Sequence, residues 1–462
     1  MAVWLLFPPL ALLTPSLRPP ALLAAPTRPA FPTLAHRVPR VPCARGGSVD
    51  ARERGEGGKL PLRLDSTSKL QLAILAGSNF LVQMAIGMIM VVAPLFAQSI
   101  GLGAAGVALL VALPQLPKLV LNLPVGHLVD VVGRRPPLII GAILDGIGQF
   151  LTASATSVAQ IVPARLVVGV GTAVGSVTGP ATLAYTMDVC GKFPEHSGLL
   201  LGALQATGFL ALAVGPAIGG ALADRSGPAL PFVLFGVLQL LSAAVKCLLP
   251  ETLPLAKRKD ASLKGLRQVM DGLWASYRRL LVDRKQTGLL AVRCSFLAGL
   301  SLVLTIVPLH AAAAWSASAA DVGALTSFAM LLCLIFSPIA GVLADRFGSE
   351  ALIIGGSLVS AASVACMPCA KSKASYYFVR ALWAAGEAYL ITAYSTLALN
   401  ITPEDQRGAR NSLDNQVGDI ALLFLVVLVG VIGGKSLNMA FWATSGFMLL
   451  CNVFFVSRLQ AV

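Results

Sequence analysis

The sequence predicts an all-α membrane protein, with twelve transmembrane helices in two pseudo-symmetric six-helix halves. Three observations predict it. Hydrophobic residues make up 56% of the 462-residue chain and charged residues 12%, whereas soluble domains carry about 25% charged residues. Twelve stretches are mostly apolar over about 20 residues, enough to cross about 30 Å of hydrocarbon. Landmarks also recur at a near-constant distance. Gly341 follows Gly126 by 215 residues (341 − 126), Pro308 follows Pro94 by 214 (308 − 94), Arg380 follows Arg165 by 215 (380 − 165), and Gly433 follows Gly219 by 214 (433 − 219). Such a register implies two similar halves, an internal symmetry built into many membrane transporters.

The organisation follows in chain order. Residues 1–68 differ from the rest. Met1 to Val49 holds Arg18, Arg28, Arg37, Arg40 and Arg45, has no acid before Asp50, and is rich in Pro and Ala. Basic, acid-poor composition reads as an organellar transit peptide; a disordered tail is the alternative. The expected membrane is that of a plastid or mitochondrion, with the plasma membrane or an endomembrane as alternatives. Residues 69–250 hold the first six spans, at 72–97, 105–128, 137–156, 160–186, 197–222 and 230–249. Residues 251–286 form a linker with nine basic residues and four acids. Within it Leu263, Leu266, Met270, Leu273, Tyr277 and Leu280 recur at helical spacing, which predicts an amphipathic helix on the membrane surface. Residues 287–462 hold the last six spans, at 287–310, 321–344, 351–369, 376–399, 411–434 and 438–457.

The net charge of +14 does not point to nucleic acid, because no basic patch interleaved with aromatics is present. Basic residues gather in the N-terminus and in loops on one side, as orientation in a membrane requires. Cys366 and Cys369 form a CxxC without the second pair of a four-ligand zinc site, and the eight cysteines read mostly as buried thiols. Gly101 and Gly106 fit a GxGxxG pattern that follows an apolar span rather than a strand, so it reads as a turn. No P-loop, HExxH or nucleophile–base pair is found. No cofactor and no enzymatic activity are expected, and energy must come from gradients.

The stretch Gly126–Arg135 reads GHLVDVVGRR and sits between the second and third spans; Gly341–Gly348 reads GVLADRFG at the end of the eighth. Glycine permits bends and close approach, and the charges stand where hydrocarbon ends. These residues resemble the loop signature of the major facilitator superfamily, roughly Gly-x-Leu-Ala-Asp-Arg-x-Gly-Arg-Arg. Gly126, Leu128, Asp130, Gly133, Arg134 and Arg135 match, and Val131 stands in place of an arginine. In the second copy Gly341, Leu343, Asp345, Arg346 and Gly348 match, while Ser349 and Glu350 replace the basic pair. The resemblance spans about residues 70–457. It implies the major facilitator fold and alternating access of a central cavity. It also implies a charge cluster in which Asp130, Arg134 and Asp188 lock one conformation, with Asp345 and Arg346 as the second copy. His196 stands where relatives often carry an arginine, which weakens that lock.

The same resemblance assigns further candidates. Arg165, Gly169 and Gly171 match an Arg-x-x-x-Gly-x-Gly motif linked in the family to proton coupling; an arginine that snorkels to the interface is the alternative. Gly202, Gly215, Pro216, Gly219 and Gly220 resemble the glycine–proline motif of the drug/proton antiporter branch, with Ala211 in place of one glycine. Glu387 and Asp419 are carboxylates inside spans, which are costly unless partnered or facing a cavity; their repeat counterparts are Thr172 and Gln205. Lys118 lies midway along the second span. The family architecture sets the second and eleventh spans together, so a Lys118–Asp419 gate pair is expected. Asp145 is placed in a span outside the central cavity. The expected function is secondary transport of a small organic solute coupled to protons, by antiport or efflux. An organellar uniporter or symporter, and a non-transporting receptor or assembly factor on the same fold, are the alternatives. The expected partners are a small-molecule substrate, protons and the lipid bilayer, and the protein is expected to be a monomer.

Overall fold

Proline and glycine set where the helices break. The computed structural model describes residues 65–459 apart from 176–178, 194–195, 259–262 and 404–405. The transit-like segment lies outside the described residues. Helix α1 (Ser66–Ser99) begins at Asp65, whose side chain accepts from the Ser68 amide, and ends at Gly101 with φ +80°. The second span is two helices, α2 (Ala104–Ala112) and α3 (Gln115–Val132), divided at Pro114. Proline lacks an amide hydrogen and clashes with the preceding turn, so it interrupts the ladder there. The expected loop after the second span is shorter than its motif suggests, because α3 runs to Val132 and only Gly133 and Arg134 precede α4 (Arg135–Ala153). Gly133 takes φ +111°, which a side chain resists. The fourth span is α5 (Val158–Gly175) and α6 (Pro180–Cys190). Helices α7 (Ser197–Ser226) and α8 (Leu230–Lys246) complete the first half.

The predicted linker helix is α9 (Leu263–Val282). Tyr277 and Leu280 are buried against α10 and α15 residues, while Met270 and Trp274 are exposed. Helix α10 (Arg284–Thr305) is capped by Asp283, and α11 (Val307–Trp315) follows with Pro308 in its first turn. Helix α12 (Ala319–Phe347) starts with a capping box of Ser318 and Asp321. Then come α13 (Ser349–Cys366), α14 (Lys373–Ile401), α15 (Arg407–Lys435) and α16 (Leu437–Leu459). No strand occurs among the described residues; apart from α9, fifteen helices fall at the twelve predicted span positions, the second, fourth and seventh being two helices each. Ten are long and apolar enough to cross a membrane. Leu230–Lys246 is apolar but shorter, and α14 carries Arg380 and Glu387.

Close backbone approach holds the halves together. In hydrocarbon there is little hydrophobic gain in joining helices, so small residues and van der Waals contact decide. On α7, a Cβ at Gly219 would fall 2.6 Å from the Met88 Cα of α1, and one at Gly215 would fall 2.9 Å from the Gly87 Cα. Pro216 and Gly220 meet Gly323 and Ala319 of α12 across the two halves. Gly202 is corrected as a packing residue: a Cβ there would meet nothing within 4 Å. Gly126 likewise has open space, its nearest contact being Pro180 at 4.0 Å.

These contacts close one face. The C-terminal end of α7 and the N-terminal end of α12 lie opposite the Gly126–Arg135 turn. There the Asp224 carboxylate accepts from the Ala319 and Ala320 amides, each at 2.9 Å. An acid at a helix N-terminus satisfies free amides and the dipole together. Ala104 and Ala108 of α2 pack on Gly430 and Gly433 of α15 near the same face. The expectation of buried cysteines needs correction: Cys190 and Cys451 are buried, but Cys247, Cys366 and Cys369 are exposed, and Cys294 and Cys333 are intermediate.

Candidate functional site

On the side of the Gly126–Arg135 turn the halves stand apart around a cavity of about 350 Å³. Its walls are α3 and α6 of the first half and α15 of the second, with Leu273 of α9 at one edge. Lys118 of α3 reaches across: its Nζ lies 2.5 Å from Asp419 Oδ1 of α15. Asn122, one turn further along α3, donates to Asp419 Oδ2 at 2.9 Å. Lys118 also donates to Gln115 at 3.3 Å. A charge taken out of water needs a partner with further hydrogen bonds, and this pair has both. Pro114 and Pro117 explain the position of Lys118. They open α3 against Gly169 of α5, where a Cβ would fall 2.5 Å from the Pro114 carbonyl.

Lys118 borders a second cavity too, of about 260 Å³, lined by the first half except for Leu304 of α10. Asp145, Gln149, Arg165, Thr172 and Gln239 line it. Asp145, expected in a span outside the central cavity, lines this cavity and not the one between the halves. It lies 3% exposed, accepting from Gln149 at 2.9 Å and from Gln239. The cause is Gly171, where a Cβ would fall 2.8 Å from the Asp145 Cα, so α4 is drawn inward onto α5. Arg165 is not an interfacial side chain. It is buried and donates to the Leu110 carbonyl at 2.9 Å and to Gln149 at 3.3 Å.

Glu387 has a partner, Arg380, one repeat after Arg165. Arg380 Nη1 lies 3.3 Å from Glu387 Oε2, with side-chain exposures of 2% and 9%. The guanidinium also stacks over the Trp383 ring at 4.4 Å. Glu387 lines neither cavity. Gln205, expected as the counterpart of Asp419, is exposed and lines neither.

At the turn, Arg134 pairs with Asp130 at 2.5 Å and lies 3.5 Å from Asp188. Thr252 donates to Asp188 at 2.7 Å, so the cluster includes the start of the linker. Arg135 donates to the Cys247 carbonyl. The second copy differs: Asp345 and Arg346 are exposed and form no ion pair among the described residues. The lost basic pair, replaced by Ser349 and Glu350, accounts for this.

Four groups escape sequence reasoning. Glu251 accepts from the amides of Arg134 (2.9 Å), Arg135 (3.1 Å), Thr252 (3.0 Å) and Leu253 (3.0 Å). Burial pushes its carboxyl up, but those four amides outweigh it and hold it below the ordinary 4.5. A depressed value in the fold contributes stability above the unfolded value, lost as pH falls through the folded one. Acidification below about 4.3 should therefore loosen this turn. Protection of the Arg134 and Arg135 amides against hydrogen exchange, each rate referred to the intrinsic rate at the same pH, should fall with falling pH in the wild type and be low at all pH in Glu251→Ala. Asp414 pairs with Arg410 at 3.2 Å and Arg293 at 3.6 Å and accepts from the Tyr394 hydroxyl. His127, buried with neither ring nitrogen partnered among the described residues, is the third. Asp224 is the fourth, and a signal for it exists: Gly220–Gly227 reads GALADRSG, a further copy of the Gly-x-Leu-Ala-Asp-Arg pattern.

Two helical halves that are sealed at one face and part around a polar cavity at the other define a membrane transport protein rather than an enzyme. The Major Facilitator Superfamily profile matches residues 75–309 and 289–461, and the chain belongs to that superfamily. It is 22% identical over 372 residues to an uncharacterized MFS-type transporter of Methanocaldococcus jannaschii, covering 77% of this chain and 90% of that one. It is 27% identical over 173 residues to the quinolone resistance protein NorA of Staphylococcus aureus, spanning 37% of this chain and 43% of that protein. Among solved structures, the nucleoside transporter NupG superposes with a TM-score of 0.67 at 11% identity, covering 85% of this chain and all of that one. A bacterial homologue of the human lysosomal transporter Spinster, inward-facing and occupied, gives 0.69 at 16%, covering 87% and 98%. These likenesses show the shared fold.

Proposed function

We propose that the protein is a proton-coupled antiporter that exports a small organic solute by alternating access. The observation that carries this reading is the Lys118–Asp419 pair, which joins the two halves inside the cavity. Asp419 is the acid in that wall, and its charge is what holds Lys118 and Asn122. A proton on Asp419 removes the attraction and leaves α3 and α15 free to shift. A solute that bonds to the ionised carboxylate competes with that proton, which is the condition for exchange. Asp145 and Arg165, beside Lys118, are the second candidate coupling group, and Glu387 with Arg380 the third. The glycine–proline face of α7 supports antiport over symport, as does the partial likeness to the quinolone resistance protein. The turn cluster of Asp130, Arg134, Arg135 and Asp188 serves as the conformational gate, with Gly133 fixing its backbone. The protein acts as a monomer, and the basic N-terminus supports an organellar membrane.

The test is lumenal pH in sealed proteoliposomes under an imposed proton gradient, challenged with pools of small metabolites and amphipathic drugs. Proton flux should appear with one pool and vanish in Asp419→Asn. Solute uptake without proton flux contradicts the antiporter reading.

A further inference from the structure

Cys366, Met367, Pro368 and Cys369 end the ninth span. Helix α13 closes at Cys366, and Met367–Cys369 continues it as a single 3₁₀ turn. A 3₁₀ helix has three residues per turn, so side chains three apart eclipse. The two thiols therefore leave the same side of the turn, with their Cα atoms about 6 Å apart at a rise of about 2.0 Å per residue. A disulfide bridges Cα separations of about 4.4–6.8 Å. Both cysteines are exposed.

The residues between and after them hold the turn in place. Met367 is 0% exposed and packs in one core cluster with Tyr376 of α14 and Phe441 of α16. Its amide donates to the Val364 carbonyl, and its carbonyl accepts from the Ala370 amide at 3.0 Å. Pro368 fixes its own φ. Two groups carried on an anchored backbone meet with little further loss of entropy. The 18 residues of α13 rise about 27 Å at about 1.5 Å each, close to the hydrocarbon thickness of about 30 Å. The helix starts after Gly348, so its cysteines reach the sealed face. Lys371, Ser372 and Lys373 follow and are exposed, which sets the thiols in the polar interface.

The surroundings narrow the chemistry. Among the described residues no third His, Cys, Asp or Glu completes a metal set with the pair, which leaves reaction between the two sulfurs. Pro368 and Lys371 line a cavity of about 480 Å³ with His310, Ser436 and Asn438, and no acid stands in its wall. Lys373 pairs with Asp321, so Lys371 supplies the charge that an approaching reagent meets.

We propose that Cys366 and Cys369 form a reversible dithiol–disulfide couple that exchanges with an anionic low-molecular-weight disulfide of the glutathione type. One cysteine thiolate attacks a sulfur of the small disulfide, whose S–S bond breaks and releases one small thiolate. The other cysteine thiolate attacks the protein sulfur of that mixed disulfide, closing the intramolecular bond and releasing the second small thiolate. Two electrons pass from the protein to the small disulfide, and the two cysteine protons end on the two small thiols. The turn packs on α13, α14 and α16, all in the second half, so the new bond does not tie the halves together.

The experiment uses the full chain in detergent micelles with glutathione disulfide as the probe. Free thiols are blocked with iodoacetamide, and mass spectrometry reads the tryptic peptide that holds both cysteines. That peptide should lose two hydrogens rather than carry two blocking groups, and excess reduced glutathione should restore the dithiol. Cys369→Ser should instead retain one glutathione on Cys366. Cystamine, a cationic disulfide, should oxidise the pair about threefold more slowly at equal concentration, the effect of one screened charge at close range, and Lys371→Glu should reverse that order. A pair that stays reduced, two glutathiones on the wild-type pair, a bond that reduced glutathione does not open, or equal oxidation by both probes overturns the proposal. The wild-type chain decides these outcomes even if Cys369→Ser does not fold.

Discussion

Asp419→Asn should abolish coupled transport, and so should Lys118→Met, each leaving the other partner unpaired inside the cavity. Removing one member of a buried pair typically costs about 3–5 kcal/mol, a factor of hundreds or more in the population of the paired state. The reversed pair, Lys118→Asp with Asp419→Lys, restores the charge balance with the same two chemical groups across the same gap. It should recover folding and thermal stability close to wild type. Transport is the sharper readout. Asn122 donates to Asp419 across the gap at 2.9 Å, and after the swap it stands on the same helix as the carboxylate, one turn away, so that its hydrogen bond no longer joins the halves. The swapped protein should therefore regain solute exchange with a shifted pH dependence. If the swap rescues neither stability nor exchange over either single variant, the pair is not a gate.

Arg380→Leu should destabilise the protein more than any single change at the turn. Glu387 would then be a carboxylate with side-chain exposure of 9% and no cation beside it, a loss of about 3–5 kcal/mol. Trp383, which stacks under the guanidinium, would lose that contact too. The double variant Arg380→Leu with Glu387→Leu replaces both charges with apolar groups of similar length, and such replacements are often neutral. Thermal melting in detergent checks both: a large fall for the single variant and near recovery for the double. If Glu387→Gln abolishes proton flux while the protein stays folded, Glu387 is a proton site as well as an ion-pair partner.

Helix positions were legible because spans in hydrocarbon must be apolar and continuous, and the two-fold register fixed the halves. The breaks inside spans were less legible, since a proline can either kink a helix or divide it. Pro114 divides α2 from α3, whereas Pro94 and Pro216 stay inside α1 and α7. The approach of Lys118 to Asp419 followed from the family's arrangement of spans together with the rarity of charge inside them. The inward position of Asp145 did not, because it depends on the α4–α5 distance that Gly171 permits, and no periodicity encodes a distance. Glu251 and Asp224 bind backbone amides, a role that any exposed acid near a helix start could fill. Asp224 nonetheless carried a visible sign, the repeated octapeptide at the far end of α7. His127 had none: an imidazole inside the loop signature looks like any variable residue until its surroundings are known.

The central claim is that the two halves rock, opening one face as the other closes. Distances between spin labels test it directly. Gly202 and Gly341 flank the parted face on α7 and α12, and Gly103 and Gly434 flank the sealed one; a side chain at any of the four meets nothing within 4 Å. Labels attach to cysteines at these pairs after the eight native cysteines are replaced by serine. On acidification in the presence of transported solute, the 202–341 distance should shorten while the 103–434 distance lengthens. Asp224→Ala, which uncaps α12, should lengthen the 103–434 distance without solute. Two distances that stay fixed, or that change in the same direction, would contradict alternating access in this protein.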